Sequence, residues 1–540
     1  MSISASMQIA VNGLNVFRSA NAVISQNIAN VSTPGYSRQK AIIETAPTIN
    51  LSGFTLGSGS MISKVERFHD ALLQQQMANS NTTLGYDTAK SLALQQIEPA
   101  FNDIGVDGVG AALARFFASW QDLTNNPGGI AERQSVLSNA QILADDLHAA
   151  SKTLTDMITL QNDSLTPVID DINIKLKEIA RLNQQVTTTE MISGNANEVK
   201  DKRDLLLLQL AKQIGITSTE NSDGTVDVEL VGGGEALVTG ANAGIFSLDK
   251  TTDLNSYKVE LIPAKGTLTS KVNLTSTLST GSLGATLALR DEIIPKDYLA
   301  KLDTLATTLA TDINTQHSAL NEAFDLNANQ GINFFNQSYT KTGDITAGSD
   351  TVIISDVTNL TDGMQVTGTG IPIGTFIGAI AAGSFTLVNA KGDAVKATAT
   401  VSVTTLTFDG TAAAFSINSS MSTYTVAASS QNSNAGDNLN AVKIAGFANK
   451  RLMSSGTLTY NGYWNALISK MGLDVNSSKT NVAQDEAFNN QLSVLKDSTA
   501  GVSLDQELSD MMMYQRSYQA CAQVISTATA MMDTLLGIVR

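Results

Sequence analysis

The residues that most often do chemistry in proteins are few in this chain and far apart. Its three histidines are His69, His148 and His317, and its single cysteine is Cys521. No two histidines have the spacing of a metal-binding pair, and one cysteine can form neither a zinc cluster nor an intramolecular disulfide. We therefore expect the histidines to be surface or helix-capping residues, and we predict no metal site and no cofactor.

Glycine-rich and acidic stretches also fail to match known catalytic or binding templates. The motifs at 105–110 and 368–370 lack the strand and helix that flank a phosphate loop. Trp120 and Trp464 stand among apolar residues, so we predict that both are core residues. These patterns favour a protein that is not an enzyme. One alternative stays open, a secreted enzyme in which a β-rich insert is the catalytic domain.

Composition and charge narrow the classes of partner. The 540 residues carry a formal net charge of −16, and 16% of them are charged, against roughly 25% in typical soluble domains. Because a negative chain without a basic patch repels phosphate, nucleic acid is not predicted as a partner. The amides and hydroxyls that replace charge can re-pair across a contact, which favours burial against neighbouring molecules.

No segment is predicted to cross a membrane or to act as a cleaved signal peptide. Residues 1–9 lack a basic region, and no continuous apolar region follows them. The stretch 371–390 is uncharged, but it contains Pro372 and three glycines. It therefore predicts a buried β-hairpin and not a spanning helix.

The two ends of the chain have the heptad spacing of coiled-coil helices. The first apolar seam comprises Ile3, Met7, Leu14, Phe17, Ile24 and Ile28. The second seam comprises Leu504, Leu508, Met511, Tyr518, Ile525, Met532, Leu536 and Val539. Residues 1–40 contain only basic charges, whereas residues 503–540 contain four acidic and two basic residues. Opposite signs favour pairing between the two ends, and the alternative is that both are ordinary amphipathic core helices.

The succession of helical and β-rich stretches along the sequence predicts an α+β multidomain fold. Residues 1–50 and 503–540 are expected to form a terminal coiled-coil assembly domain. Residues 51–339 and 431–502 are expected to form a mainly helical domain with a β-rich patch near 215–283, and Pro167 is read as a helix break or start. Residues 340–430, rich in Thr, Val, Gly and Ala, are expected to be an inserted β-rich outer domain.

Three motifs resemble the axial proteins of the bacterial flagellar rod, hook and hook–filament junction. The first is residues 25–39, where a helix end leads into the turn Asn30, Thr33, Pro34, Gly35, Tyr36. The second is residues 508–536 of the C-terminal seam, and the third is residues 197–205, which look like a segment of the junction proteins. The resemblance touches both ends and most of the helical region.

This resemblance implies a structural and motility role outside the cell, at the hook–filament junction of the flagellum. It implies type III export without a cleaved signal peptide, and an export chaperone that binds the C-terminal helix. It also implies a ring of copies, with hook protein below and a second junction protein or flagellin above. The nearest alternative is a distal rod or hook structural protein, which shares the terminal motifs.

Overall fold

Helices make up most of the part of the chain that the computed structural model describes, which is residues 3–51, 54–101, 108–250, 256–266, 270–336, 338–357, 360, 366–372, 375–388, 394–409 and 412–539. The α-helices in these ranges are α1 (Ile3–Ala29), α2 (Ala71–Ile97), α3 (Val109–Asn125), α4 (Ile130–Ser193), α5 (Asn197–Gln213), α6 (Gly281–Ala288), α7 (Ala300–His317), α8 (Leu439–Ala445), α9 (Tyr460–Ala500) and α10 (Leu504–Val539). A π-helical segment, Leu289–Leu299, joins α6 to α7, and 3₁₀ turns lie at Glu98–Phe101 and Gly446–Asn449.

Separate antiparallel sheets interrupt the helices. The strands in the described ranges are β1 (Gln39–Thr45), β2 (Ile49–Leu51), β3 (Phe54–Leu56), β4 (Ser60–Arg67), β5 (Ile216–Glu220), β6 (Val226–Leu230), β7 (Ala236–Thr239), β8 (Asn242–Ala243), β9 (Ile245–Asp249), β10 (Lys258–Ile262), β11 (Val272–Asn273), β12 (Phe335–Asn336), β13 (Ser338–Ile345), β14 (Thr351–Ile354), β15 (Val366–Gly368), β16 (Phe376–Ala381), β17 (Ser384–Val388), β18 (Val401–Asp409) and β19 (Ser416–Ile417). The predicted α+β multidomain class is confirmed.

The first and last helices lie side by side and run antiparallel. Phe17 of α1 stacks on Tyr514 of α10, with ring centroids 6.0 Å apart. Further along, a Cβ placed on Gly13 would lie 2.8 Å from the Cys521 Sγ, so the helices approach closely where α1 has no side chain. We call α1 and α10 together the terminal pair. The β1–β4 hairpin, which pairs Gln39 with Arg67, leads from this pair into the helical domain.

The helical domain is built around aromatic side chains buried between α3, α4, α7 and α9. Trp120 and Trp464 are 0% and 1% exposed, so the prediction that both are core residues is confirmed. Each bulky aromatic ring removes a large apolar area from water, and neighbouring rings pack edge to face. Phe116 and Trp120, for example, have centroids 6.4 Å apart at an interplanar angle of 84°.

Pro167 corrects a sequence expectation, because it neither breaks nor starts a helix. Helix α4 runs through it for 64 residues. A proline removes one backbone hydrogen bond and crowds the preceding turn, which costs roughly 3 kcal/mol. Leu165, Ile169 and Ile172 on either side of it are fully or almost fully buried. Their burial stabilises the helix by more than the proline costs.

The β-rich patch near 215–283 contains two small sheets. Strands β5–β8 form a four-stranded sheet and β9–β11 a three-stranded one. Their apolar face packs with α4 and α5, where Val228, Val238 and Val259 are fully buried. The patch ends earlier than expected, because α6 begins at Gly281.

The second β-rich block is a six-stranded sheet in the order β15-β18-β13-β14-β17-β16. The Val366 N–H donates to the Thr375 carbonyl oxygen at 2.9 Å, so the two outer strands of the sheet come together around its own apolar core. The uncharged stretch 371–390 contributes the hairpin β16–β17, as predicted. No described helix is both long and apolar enough to span a membrane.

This sheet is shorter than the predicted insert at 340–430. Its strands end at Asp409, and the chain then returns to the helical domain. Ala412, Phe415, Val426 and Ala428 are buried in the aromatic core of that domain. The periodicity of these residues does not reveal the return, because they lie in turns and short extended segments.

His317 corrects the prediction that the histidines are surface or capping residues. It is 0% exposed. Its Nδ1 lies 2.6 Å from the Ile332 carbonyl oxygen, and its Nε2 accepts the Ala427 N–H at 2.8 Å. Burial lowers its pKa to about 4. The neutral ring thus holds the segment that returns from the insert.

Asp303 provides a pH-dependent test of the same region. Its Oδ1 accepts the Ala412 N–H at 2.6 Å, and burial raises its pKa to about 7 although this hydrogen bond opposes the shift. Because the pKa is raised on folding, stability is lost as the pH rises from the unfolded value towards 7. The parent chain should lose this stability between about pH 4 and about pH 8, whereas Asp303→Asn should not. Over this range we expect the unfolding free energy of Asp303→Asn to rise by about 3 kcal/mol relative to that of the parent chain.

Urea unfolding at both pH values measures this difference. Asp145→Asn, at an exposed position of α4, is the control and should follow the parent chain at both. Parallel pH curves for Asp303→Asn and the parent chain would show that folding does not raise the pKa of the Asp303 carboxyl group.

Candidate functional site

Two sequence motifs that are far apart in the chain meet at the base of the helical domain. The turn after α1 lies against the first half of α5, where the Ser37 N–H donates to the Asp201 Oδ2 at 3.0 Å. Around this contact lies a set of interacting side chains that we call the polar junction: Asn27, Tyr36, Arg38, Arg67, Asp201, Asp204 and Glu507. It connects the terminal pair, the β1–β4 hairpin and the helical domain.

The turn motif ends α1 and fixes the direction in which the chain leaves it. The Asn30 side chain donates from Nδ2 to the Gln26 carbonyl oxygen at 3.0 Å, and its Oδ1 accepts the Thr33 hydroxyl at 3.1 Å. Pro34 follows and cannot continue a helix. Gly35 has a φ of +81°, and a Cβ there would lie 3.1 Å from the Leu205 Cβ. Glycine is therefore required both by the backbone conformation and by the close approach of α5.

Asn27 makes the largest number of hydrogen bonds in the polar junction, and sequence reasoning did not single it out. It is 1% exposed. Its Nδ2 donates to the Gln39 carbonyl oxygen at 2.8 Å and to the Glu507 Oε2 at 2.9 Å. Its Oδ1 accepts the Gln39 N–H at 3.0 Å and the Tyr36 hydroxyl at 2.8 Å. One amide thus holds the end of α1, the start of β1 and the start of α10 together.

Replacing Asn27 with aspartate, which has nearly the same shape, should strongly destabilise the docking of the terminal pair at the polar junction. The carboxylate cannot donate, so Gln39 and Glu507 lose their donor, and the new charge lies beside the Glu507 carboxylate. We expect a loss of about 2–3 kcal/mol in the free energy of docking the terminal pair. Hydrogen exchange of α1 and α10 amides measures it. Asn15→Asp, at an exposed position of the same helix, is the control, and equal exchange in both variants would contradict the assignment.

Glu507 and Arg38 connect α10 to the hairpin. The Arg38 Nε lies 2.5 Å from the Glu507 Oε1, and an Arg38 terminal nitrogen lies 3.4 Å from the Asp510 Oδ2. The Glu507 side chain is 1% exposed, and the Arg38 guanidinium lies over the Phe68 ring. The Arg38 N–H also donates to the Ala500 carbonyl oxygen at 2.8 Å, at the last residue of α9. These bonds fix the position of α10 where it leaves α9.

Arg67 and two aspartates form the part of the junction nearest the helical domain. Its Nη1 lies 3.0 Å from the Asp201 Oδ1 and 2.7 Å from the Asp204 Oδ2. Burial raises the pKa of Asp201, although the Ser37 N–H and Arg67 oppose the shift. His69 lies 3.6 Å from Asp204, and burial lowers its pKa. The charges of the junction are therefore paired within the chain.

The residues of the two predicted seams have different surroundings. In α1, Ile24 is buried, and Ile3, Met7, Leu14, Phe17 and Ile28 are half-buried. In α10, Met511 and Ile525 are half-buried, whereas Leu504, Leu508, Tyr518, Met532 and Leu536 are between 36% and 63% exposed. The side chain of Val539 lies outside the described residues. Tyr514 and Cys521, which lie beside this seam, contact α1.

The polar junction connects elements of the fold. In the described part of the chain, no group of three or more His, Cys, Asp or Glu side chains is arranged to hold a metal ion. A cavity of about 300 Å³ adjoins the junction and is lined by residues including Pro34, Tyr36, Glu198 and Lys202. Asp201 of the polar junction also lines this cavity, and each of the turn residues 30, 33 and 36 has a hydrogen-bond partner within the chain.

Family comparisons match three parts of the chain. A family model described as the helical domain of flagellar hook-associated protein FlgK matches residues 94–335. A model of the flagellar basal body rod FlgEFG protein C-terminal region matches residues 497–538, and a flagella basal body rod protein model matches residues 7–36. The last two matches cover most of the terminal pair.

Curated relatives match almost the whole chain. Flagellar hook-associated protein 1 of Escherichia coli K12 is 26% identical over 98% of each chain. The protein of that name from Salmonella typhimurium is 27% identical over 98% of this chain and 99% of its own. The Bacillus subtilis protein of that name is 23% identical over 98% of this chain and 97% of its own.

A similar fold is found among solved structures. The flagellar hook junction protein FlgK from Burkholderia pseudomallei aligns with a TM-score of 0.56 and 16% identity, over 79% of this chain and all of that one.

Proposed function

The chain belongs to the family of flagellar hook-associated protein 1, and from this premise we propose that it is a structural subunit joining hook to filament in the bacterial flagellum. The observation that carries the proposal is the match to relatives of that name over 98% of the chain. A distal rod or hook protein would share the terminal motifs, but the match at 94–335 is to the helical domain of the hook-associated protein. We infer that the chain is not an enzyme.

The terminal pair is the part that we propose polymerises. Its α10 has exposed apolar side chains beside the line that contacts α1, among them Leu504, Leu508, Tyr518 and Leu536. Exposed apolar surface of this extent favours association with further molecules. Copies in a ring would bury these side chains against each other, with hook protein below and a second junction protein or flagellin above.

Export and location follow from the same proposal. The subunit would leave the cell through the flagellar type III channel without a cleaved signal peptide and remain outside the cell as part of the flagellum. Before assembly, the apolar face of α10 would be open to nonspecific association. An export chaperone that binds this helix would cover it.

Cells that lack the gene provide the test. We expect them to carry hooks without filaments and to release flagellin into the medium, and a tagged chain should restore filaments. Immunogold labelling should place the tag at the junction between hook and filament. Labelling along the hook, within the rod, or away from flagella would contradict the proposal.

The six-stranded insert is proposed to be an outer domain that assembly does not need. The strands at its base, β12 and β19, pair Phe335 with Ile417, so the chain enters and leaves at adjacent points. Replacing residues 338–409 with a short Gly-Ser linker should preserve the melting temperature of the helical domain and leave motility largely intact. A matched deletion of 340–430 should unfold that domain, because it also removes Phe415 and Val426 from the core. If both deletions behave alike, the domain boundary is misplaced.

A further inference from the structure

Methionine side chains on α10 remain exposed although α1 lies beside them. Met512 is 56% exposed, Met513 is 51% exposed and Met531 is 55% exposed. We call these three the outer methionines. By contrast, Met453 and Met471 in the helical domain are each 1% exposed. Met191 of α4 and Met61 of β4 are also exposed, at 83% and 38%. The outer methionines differ from these two because they lie together on the helix that the proposed function places in an assembly contact.

Two of the outer methionines lie on one stripe of α10. Residues 513, 524 and 531 are separated by eleven and seven positions, which places them on one face of a helix. Val524 between them is 47% exposed. Tyr514 and Cys521, which contact α1, lie on another face. This stripe is therefore open to solvent in the single chain.

We propose that the outer methionines are an oxidation site through which peroxides control whether a subunit can assemble. The inference rests on the proposed function, because it needs α10 to be covered in the flagellum. Hydrogen peroxide is the reagent. An exported subunit would be sensitive to it until neighbouring molecules cover α10.

The chemistry is a two-electron oxidation of sulfur. The thioether lone pair attacks one peroxide oxygen, the O–O bond breaks, and a new S–O bond forms. The departing hydroxide takes up the proton from the transferred oxygen and leaves as water. Sulfur is oxidised to the sulfoxide and peroxide is reduced, so no further reactant is needed. Sulfoxide reductases reverse the modification.

The modification changes how readily these side chains can be buried in a contact. A thioether is apolar and flexible and adapts to irregular contacts. A sulfoxide oxygen is a strong acceptor, and its burial without a donor costs free energy. Oxidised subunits should therefore be excluded from the flagellum, whereas subunits already covered should be protected from oxidation.

Assembly of new flagella in sublethal hydrogen peroxide tests this directly on the unmodified chain. Mass spectrometry of the subunit compares sulfoxide at the outer methionines between the flagellum-attached and medium fractions. We expect sulfoxide at the outer methionines of the subunits in the medium, and none at those of the subunits attached to flagella. Equal sulfoxide content in both fractions would overturn the inference. Absence of the subunit from flagella even in untreated cells would instead overturn the proposed function.

Variants identify the residues responsible. Met512→Leu/Met513→Leu/Met531→Leu keeps apolar side chains, and the ratio of its incorporation with and without peroxide should exceed that of the parent chain. Met191→Leu removes a thioether that is 83% exposed at the end of α4, and it should stay as sensitive as the parent. Cys521→Ser distinguishes oxidation of the thiol from oxidation of the thioethers, and its incorporation should stay as sensitive to peroxide as that of the parent chain. If Cys521→Ser protects incorporation from peroxide, or if the triple variant does not, residues other than the outer methionines cause the sensitivity.

Discussion

An Arg67→Met variant is expected to lose about 3–5 kcal/mol of unfolding free energy, because it removes the ion pair of the buried Asp201 carboxylate. It also removes the closer of the two arginines at Asp204, which keeps the Arg203 Nε at 3.8 Å. The side chains of Arg67, Asp201 and Asp204 are 8%, 6% and 14% exposed. Burial already raises the pKa of Asp201 while Arg67 opposes the shift. Without Arg67 the shift should grow, so the penalty should be largest at neutral pH and should shrink as the pH falls. Urea unfolding across this range measures it.

Two controls separate charge burial from lost packing. Arg67→Met/Asp201→Asn/Asp204→Asn removes the carboxylates as well and should recover much of the stability. Lys64→Met disrupts an ion pair on the same strand in which both side chains are more than half exposed, and such pairs contribute less than about 1 kcal/mol. If Arg67→Met costs no more than Lys64→Met, Arg67 does not support the junction.

The sequence predicts those features of the fold that depend on local spacing. Both terminal helices, the turn at Pro34 and Gly35, and the hairpin at 371–390 follow from periodicity and from the backbone limits of proline and glycine. The continuous helix through Pro167 was not predicted, because a helix that buries apolar residues on both sides of a proline can tolerate the lost hydrogen bond. Local preference is weak where tertiary burial is large.

The polar junction could not be predicted in the same way. Asn27 and Glu507 are 480 positions apart, and no periodicity relates their side chains. The α10 seam shows the consequence, since apolar spacing selected Leu504 and Tyr518 as the face towards α1. Instead Asn27 bonds to Glu507, and Gly13 leaves room for Cys521. A buried hydrogen bond and a missing side chain set the rotation of α10, and most of the apolar line, including Leu504 and Tyr518, is left exposed beside the contact.

Ile525→Asp should abolish incorporation into the flagellum while leaving the helical domain folded. Ile525 is half-buried in the terminal pair. Among the described residues, the two buried cores of the helical domain include none from α1 or α10. A charge at this position would have to be buried unpaired when copies pack around α10, which costs about 3–5 kcal/mol per subunit. In the single chain the cost is confined to the terminal pair.

Two measurements on the same variant distinguish assembly from folding. The main thermal transition of the purified chain should match that of the parent, whereas cells carrying the variant should be non-motile and should release filament subunits into the medium. Ile525→Leu keeps the apolar contact and should restore motility, and Gln523→Asp places the same charge at an exposed position of α10. In the proposed ring every copy would make this contact, so even a small cost per subunit would be multiplied around the ring. Normal motility of Ile525→Asp would show that this face of α10 is not buried in the flagellum.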